Sequence, residues 1–252
     1  MSFTIVIPAR FQSSRLPGKP LLDIDGKTMI QRTWERAKES GAARVIVATE
    51  NAEVKKVCEA FGAEVFITRN DHQSGTERIA EVIDLAHING DEIVVNVQGD
   101  EPMLPAELIH QVAEGLEQHP EISMATLCEK IEDTTTVFDP NAVKVCRDFA
   151  NRAITFSRAP LPWARDEFAG DTKLLPNNWT YQRHIGLYAY RAGFVKQYVT
   201  WPECELEHVE KLEQLRVLWH GEKILVLDAH CDAGVGVDTE ADLQRVRQLL
   251  QS

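Results

Sequence analysis

The sequence predicts an α/β fold with a mostly parallel central sheet and helices on both faces. Two observations carry this. Short apolar runs rich in β-branched residues, Phe3–Ile7, Arg44–Thr49, Glu64–Thr68 and Glu92–Val97, alternate with stretches whose apolar residues recur at helical spacing. Such alternation places the strands in parallel, because a crossover helix returns the chain to the same sheet. The 252 residues, 44% apolar and 26% charged, also suit one large globular domain over 1–252.

Each element has a local cause. Pro8 ends the first strand, and Asp23–Lys27 is a turn around Gly26. Thr28 opens a helix carrying Ile30, Trp34 and Ala37 on one face, stopped by Gly41. Asn51 caps the next helix, through Val54, Val57, Cys58 and Phe61, and Gly62 follows as its C′ residue. Ser74 and Glu77 have capping-box spacing ahead of Ile79, Val82, Ile83 and Ala86. The run Glu92–Val97 is apolar nearly throughout, so it is expected at the sheet centre. A helix runs from Pro105, at N1, to about Gln118.

The second half is less regular. A strand is expected over Ile122–Leu127, and a loop or short helix over Ile131–Asp139. Asn141–Arg147 and Ala153–Ser157 read as a hairpin around Asp148–Asn151. Arg158–Trp163 is extended, Ala164–Asn178 is a polar loop, and His184–Tyr190 alternates as a strand. These three strand-like segments break the alternation. They predict a small antiparallel extension within about 140–200 that serves the second substrate and a dimer interface. Phe156, Trp163, Trp179 and Tyr181 lie there, with core packing as their default role. Helices follow over Arg191–Thr200 and Glu205–His220, the latter with a stripe of Leu206, Val209, Leu212, Leu215 and Leu218. Glu210 and Gln214 stand one turn apart on another face, where solvent exposure is the plain alternative. Lys223–Leu227 is a last strand, and Thr239 with Asp242 caps a final helix packed through Leu243, Val246 and Leu249.

Bulk properties exclude several functions. A net charge of −12 argues against general nucleic-acid or membrane-surface binding. No apolar run approaches the roughly 18 residues of a membrane span. The chain opens directly on a strand with no basic leader, so a cytoplasmic location is expected. Cys58, Cys128, Cys146, Cys204 and Cys231 are odd in number and lack CxxC spacing, as reduced cysteines do.

The chemistry concentrates at strand ends. Between Ala9 and Pro20 stand three cations, Arg10, Arg15 and Lys19. In an acidic protein this is either a solvated basic loop or a polyanion site. Its place directly after the first strand favours the second, since α/β sheets bind ligands at that edge. It is not a Walker A loop, because Gly18-Lys19 is followed by Pro20 and Ser13 replaces the upstream glycine. Asp100, in Gln98-Gly99-Asp100-Glu101-Pro102 after the central strand, suits a hard divalent cation beside phosphates, and it stands too early to cap the helix at Pro105. Asp238, behind Gly234 and Gly236, is either a turn residue or a second carboxylate for the same ion. Gly75 allows close backbone approach at a helix start.

Ile7-Pro8-Ala9-Arg10 followed by Ser13-x-Arg15-Leu16-Pro17-Gly18-Lys19-Pro20 resembles the nucleotide-binding loop of sugar nucleotidyltransferases, closest to the cytidylyltransferases that activate acidic sugars. Further matching stretches are Ser74–Arg78, Val97–Pro102, Ser157–Trp163, His184–Tyr190, Leu206–Leu218 and Gly234–Thr239. No departure occurs at these positions, and the Ala164–Asn178 loop offers no motif to compare. The resemblance implies a Rossmann-like nucleotidyltransferase that is a homodimer, dependent on Mg²⁺, with CTP and 3-deoxy-manno-octulosonate (Kdo) as substrates for lipopolysaccharide synthesis. It implies that Lys19, Arg15 and Asp100 are catalytic and that Asp100 and Asp238 hold the metal. Pro8, Ala9, Arg10, Ser74, Gly75 and Arg78 would frame the nucleotide, and Gln98, Arg158, His184, Glu210 and Gln214 would orient the sugar. The competing readings are a relative using another acidic sugar or methylerythritol phosphate, and a catalytically dead binding module. A nicotinamide enzyme is disfavoured because G-x-G-x-x-G is absent after the first strand.

Overall fold

Buried β-branched strands come first. The computed structural model describes residues 1–12, 16–170 and 174–251, so Arg15 and its expected role lie outside the described residues. Strand β1 (Phe3–Pro8) is buried throughout. A small hairpin, β2 (Asp23–Ile24) and β3 (Lys27–Thr28), turns at Asp25 and Gly26, both with positive φ. Then come α1 (Met29–Glu39), β4 (Arg44–Thr49), α2 (Ala52–Ala60), β5 (Glu64–Ile67), α3 (Gly75–Leu85), β6 (Ile93–Asn96) and α4 (Ala106–Glu117). The second half holds β7 (Met124–Lys130), α5 (Thr134–Phe138), β8 (Lys144–Arg147), β9 (Ala153–Ser157), β10 (Gln182–Arg191), α6 (Ala192–Tyr198), α7 (Glu205–Glu210), α8 (Gln214–Trp219), β11 (Ile224–Asp228) and α9 (Glu240–Leu250).

The main sheet has the order β11-β7-β10-β6-β1-β4-β5. Strands β6, β1, β4 and β5 run parallel, and β6 is central as expected. One core lies between the sheet and α1, α2 and α4, built on Ile30, Val54, Leu108 and Val112. The other lies under α3, α6 and α8, built on Ile79, Ile83, Val195 and Leu215. Both faces are therefore covered, which is why the inner strands tolerate apolar residues at every position.

The structure corrects several expectations. The strand His184–Tyr190 is not part of an extension. As β10 it lies inside the main sheet, antiparallel to both β6 and β7, with a register shift between Ile185 and Tyr188. In this region the β8–β9 hairpin hangs outside the seven-strand order, joined to β10 at Arg183 and Lys144. The helix expected over Glu205–His220 is two helices. Lys211 adopts the left-handed conformation (φ 55°) and ends α7, which resets the helical phase. The apolar stripe consequently splits: Leu212 and Leu215 are buried, but Leu206 and Val209 are exposed. Pro105 sits at the N-cap of α4 rather than at N1. Ser74 Oγ does accept from the Glu77 amide, but Glu77 reaches back to the Gln73 amide instead of closing the box. Thr239 and Asp242 do form a complete capping box on α9, with Leu243 and Val246 buried beneath it and Leu249 exposed.

In the irregular region, Phe156 and Tyr181 are buried while Trp163 and Trp179 are exposed. Phe168 stacks on Tyr181 and packs with Ile131 and Val137, so a buried aromatic anchors the polar loop. All five cysteines are free, and Cys58, Cys128 and Cys204 are buried.

Candidate active site

Four segments converge at the C-terminal ends of β1 and β6. They are the loop after β1, the Gln98–Glu101 turn, the start of α3 and the loop before α9. Together they enclose a cavity of about 320 Å³ lined by Pro8, Ala9, Arg10, Lys19, Gly75, Gln98, Asp100 and Asp238. Gly99 permits a close approach: a Cβ there would fall 2.8 Å from the Pro8 carbonyl oxygen. The Val237 amide donates to the Asp100 carbonyl at 2.9 Å, which brings Asp238 to the same place.

Lys19 stands between the two carboxylates. Its Nζ donates to Asp100 Oδ2 at 2.5 Å and to Asp238 Oδ1 at 3.2 Å. Asp238 is therefore more than a turn residue, since it shares a cation with Asp100 across 138 positions of sequence. Glu101 lies beside them, and burial, reinforced by Asp100 and Asp238, pushes its carboxyl up to about 7. Among the described residues no group of three or more His, Cys, Asp or Glu side chains could hold a metal. An ion here would rest on two carboxylates and complete its shell from substrate oxygens, the usual habit of Mg²⁺.

On the α3 side, Arg10 Nη2 donates to the His72 carbonyl at 2.8 Å. Ser74 is committed to capping α3, and Gly75 lines the cavity. Arg78 departs from expectation. It is only 1% exposed, its guanidinium faces Glu50 and Thr68, and it does not line the cavity. Arg78 falls on the buried face of α3 with Ile79 and Val82.

A second cavity, of about 240 Å³, adjoins the first through Gly75 and Gln98. Asn96, Tyr188, Tyr190, Glu213 and Gln214 line it. Gln98 Nε2 donates to Asn96 Oδ1 at 3.1 Å, which orients its amide at the junction. Of the expected sugar residues, only Gln98 and Gln214 line this cavity. Glu210 is instead taken up by its neighbours: its carboxylate accepts from Ser157 Oγ at 2.6 Å and from the Arg158 amide at 2.9 Å. Arg158 donates from Nε to the Glu210 carbonyl and from Nη1 to the Pro140 carbonyl. The two form a clamp between the hairpin and α7, away from the cavity.

Glu213 lines the cavity where the family resemblance implies Glu210. As a residue it is exposed at the cavity rim, but its carboxylate turns inward to accept from Thr76 Oγ1 at 3.0 Å. Burial of that end raises its pKa above the ordinary carboxylate value. No sequence signal marked the change, because a continuous helix hides the phase reset at Lys211.

His184 packs edge-on to Phe156 and beside Tyr188. Its Nε2 lies 3.0 Å from Thr126 Oγ1. The Thr126 hydroxyl points at the carbonyls of Ile185 and Leu187, so the imidazole is the donor and carries its proton on Nε2. Burial pushes the ring down to about 3, which keeps it neutral.

A parallel α/β sheet with a cationic loop and an acidic turn at its carboxyl edge defines a nucleotide-handling enzyme. The profile of the cytidylyltransferase family matches residues 4–224, and the chain belongs to this family of nucleotidyltransferases. It is 68% identical over 250 residues to 3-deoxy-manno-octulosonate cytidylyltransferase 1 of Hydrogenovibrio crunogenus, covering 99% of this chain and 96% of that one. It is 57% identical over 249 residues to 3-deoxy-manno-octulosonate cytidylyltransferase of Hahella chejuensis, covering 99% and 98%. A solved structure of CMP:2-keto-3-deoxy-manno-octonic acid synthetase complexed with CTP superposes with a TM-score of 0.90 at 41% identity, covering 99% of this chain and 98% of that one.

Proposed function

We propose that this enzyme transfers CMP from CTP to Kdo, releasing pyrophosphate and giving CMP-Kdo for lipopolysaccharide synthesis. The observation that carries this is the meeting of Lys19, Asp100 and Asp238 on the wall of a cavity that the first loop also lines. Full-length similarity to enzymes named for this sugar supports the choice of acceptor.

The anomeric hydroxyl of the sugar attacks the α-phosphorus of CTP. A P–O bond forms on one side while the bond to the β-phosphate breaks on the other. Such a transfer needs positioning and charge stabilisation more than a covalent partner. Lys19 neutralises charge on the triphosphate and the departing pyrophosphate, a role Arg15 shares. Pro8, Ala9, Arg10, Ser74 and Gly75 frame the cytidine, with Arg78 supporting from beneath. Gln98, Glu213 and Gln214 hold the sugar's hydroxyls in the adjoining cavity. Asp100 and Asp238 would hold Mg²⁺, which would supply charge neutralisation at the phosphates. No described helix is long and apolar enough to cross a membrane.

The test is pyrophosphate release over a matrix of four nucleotides and several acidic sugars, with methylerythritol phosphate included. CTP with Kdo is the expected best pair, UTP a poor substitute and GTP inert. Faster turnover with a sialic acid would overturn the acceptor and leave the cytidylyltransferase class standing.

A further inference from the structure

We infer that Glu50, at the end of β4, is a positioning residue for Lys19. The inference rests on the reading of Lys19 as the phosphate-binding cation. Glu50 Oε1 accepts the Phe11 amide at 2.9 Å, and Oε2 lies 2.9 Å from Arg78 Nη2. Phe11 in turn holds the far end of the cationic loop. Its carbonyl accepts the Gly18 amide at 3.2 Å, and its ring lies 3.7 Å from where a Gly18 Cβ would stand. Gly18 is left-handed (φ 68°) and starts the short 3-10 turn whose first residue is Lys19. An unbroken chain of contacts thus runs from α3, through Arg78, Glu50, Phe11 and Gly18, to Lys19.

The pair looks costly for a purely structural device. Arg78 is fully buried, Glu50 is partly buried with its Oε2 out of solvent, and neither Arg78 Nε nor Glu50 Oε2 has a well-aligned hydrogen-bond partner. An apolar pair of similar volume would serve packing as well or better. What an apolar pair cannot do is accept the Phe11 amide. The carboxylate at position 50 therefore has a local task, which is to hold the backbone that sets the reach of Lys19. Arg78 holds that carboxylate turned toward the loop.

Two variants separate positioning from stability. In the double variant Glu50→Leu/Arg78→Met the buried charges leave together, so the thermal midpoint stays close to wild type. CTP affinity by calorimetry weakens and turnover falls, by roughly 10- to 100-fold, as for a reacting group displaced by about an ångström. The KM for the sugar is unchanged. Glu50→Gln keeps an acceptor for Phe11 but strands the Arg78 charge. Its thermal midpoint falls while CTP affinity is largely kept. A folded double variant with CTP affinity and turnover within about twofold of wild type would overturn the inference. So would a Glu50→Gln variant whose CTP affinity falls in step with its stability, and that arm decides the matter if the double variant does not fold. If the wild type releases no pyrophosphate from CTP, the proposed function is what fails, and CTP calorimetry still decides the role of Glu50.

Discussion

The ammonium of Lys19 lies 2.5 Å from a carboxylate oxygen of Asp100. With Asp238 3.2 Å away on its other side, Lys19 occupies the space between two carboxylates. Under the proposed function, a divalent ion held by these carboxylates would compete with the ammonium, and CTP would relieve the competition by drawing Lys19 to its phosphates.

Lys19→Ala is therefore expected to act in two directions. Turnover falls on the order of 10²–10³-fold, the usual cost of losing one charge-stabilising group. Binding of Mn²⁺ without nucleotide, read by electron paramagnetic resonance, tightens because the competing cation is gone. Asp100→Asn and Asp238→Asn lose most activity and weaken Mn²⁺ binding, since each removes a charged oxygen from a hard ion. Wild-type Mn²⁺ binding in both Asp variants would remove the metal role from these residues.

Glu213 and Glu210 should separate by assay. Glu213→Ala raises the KM for the sugar and leaves the KM for CTP unchanged, because its carboxylate lines the second cavity beside Gln214. Glu210→Ala strips the Ser157 hydroxyl and the Arg158 amide of their acceptor. Its expected effect is a stability loss of about 1–3 kcal/mol in urea unfolding, with sugar KM little changed. A sugar-KM effect from Glu210 alone would return the site to α7.

His184 predicts an acid limb in stability. Its folded pKa of about 3 lies below the ordinary 6.5, so between these values the unfolded chain binds a proton that the folded protein does not. The contribution is complete above about pH 6.5 and is lost as pH falls toward 3, by at most about 1.4 kcal/mol per pH unit. Urea midpoints at several pH values should fall more steeply for wild type than for His184→Asn. Equal slopes would show that the ring is protonated in the folded state. Because the ring stays neutral, no limb of the pH–rate profile near neutrality belongs to it.

The β8–β9 hairpin is the expected two-fold interface. It exposes Phe149 at 97% and Ile154 at 61%, and α8, with exposed Trp219, packs beside β9. Light scattering should report about twice the 28.4 kDa chain mass. Phe149→Asp together with Ile154→Asp should shift it toward the monomer. A monomeric wild type at micromolar concentration would withdraw the proposal.

The first half of the fold was legible because its information is local. Buried strands such as β1 need β-branched runs, and Thr28, Asn51 and Ser74 announce their helices by capping chemistry. Pairing is not local. Nothing in the alternation of His184–Tyr190 says that it inserts antiparallel between β6 and β7, because antiparallel and parallel neighbours ask for the same apolar residues. The same limit applied at Lys211, where one left-handed residue ends α7, and Glu213, not Glu210, lines the second cavity.

By itself the sequence determined the α/β class, the cationic loop after β1 and the acidic turn after β6, each a consequence of neighbouring residues and their backbone preferences. Only the tertiary structure decided that Asp238 shares Lys19 with Asp100, that Arg78 lies beneath the cavity rather than in it, and that Glu50 holds Phe11. Those relations join residues far apart in the chain. They are set by which strands lie side by side and by how closely two loops approach at Gly99 and Pro8, a distance that packing fixes and composition does not.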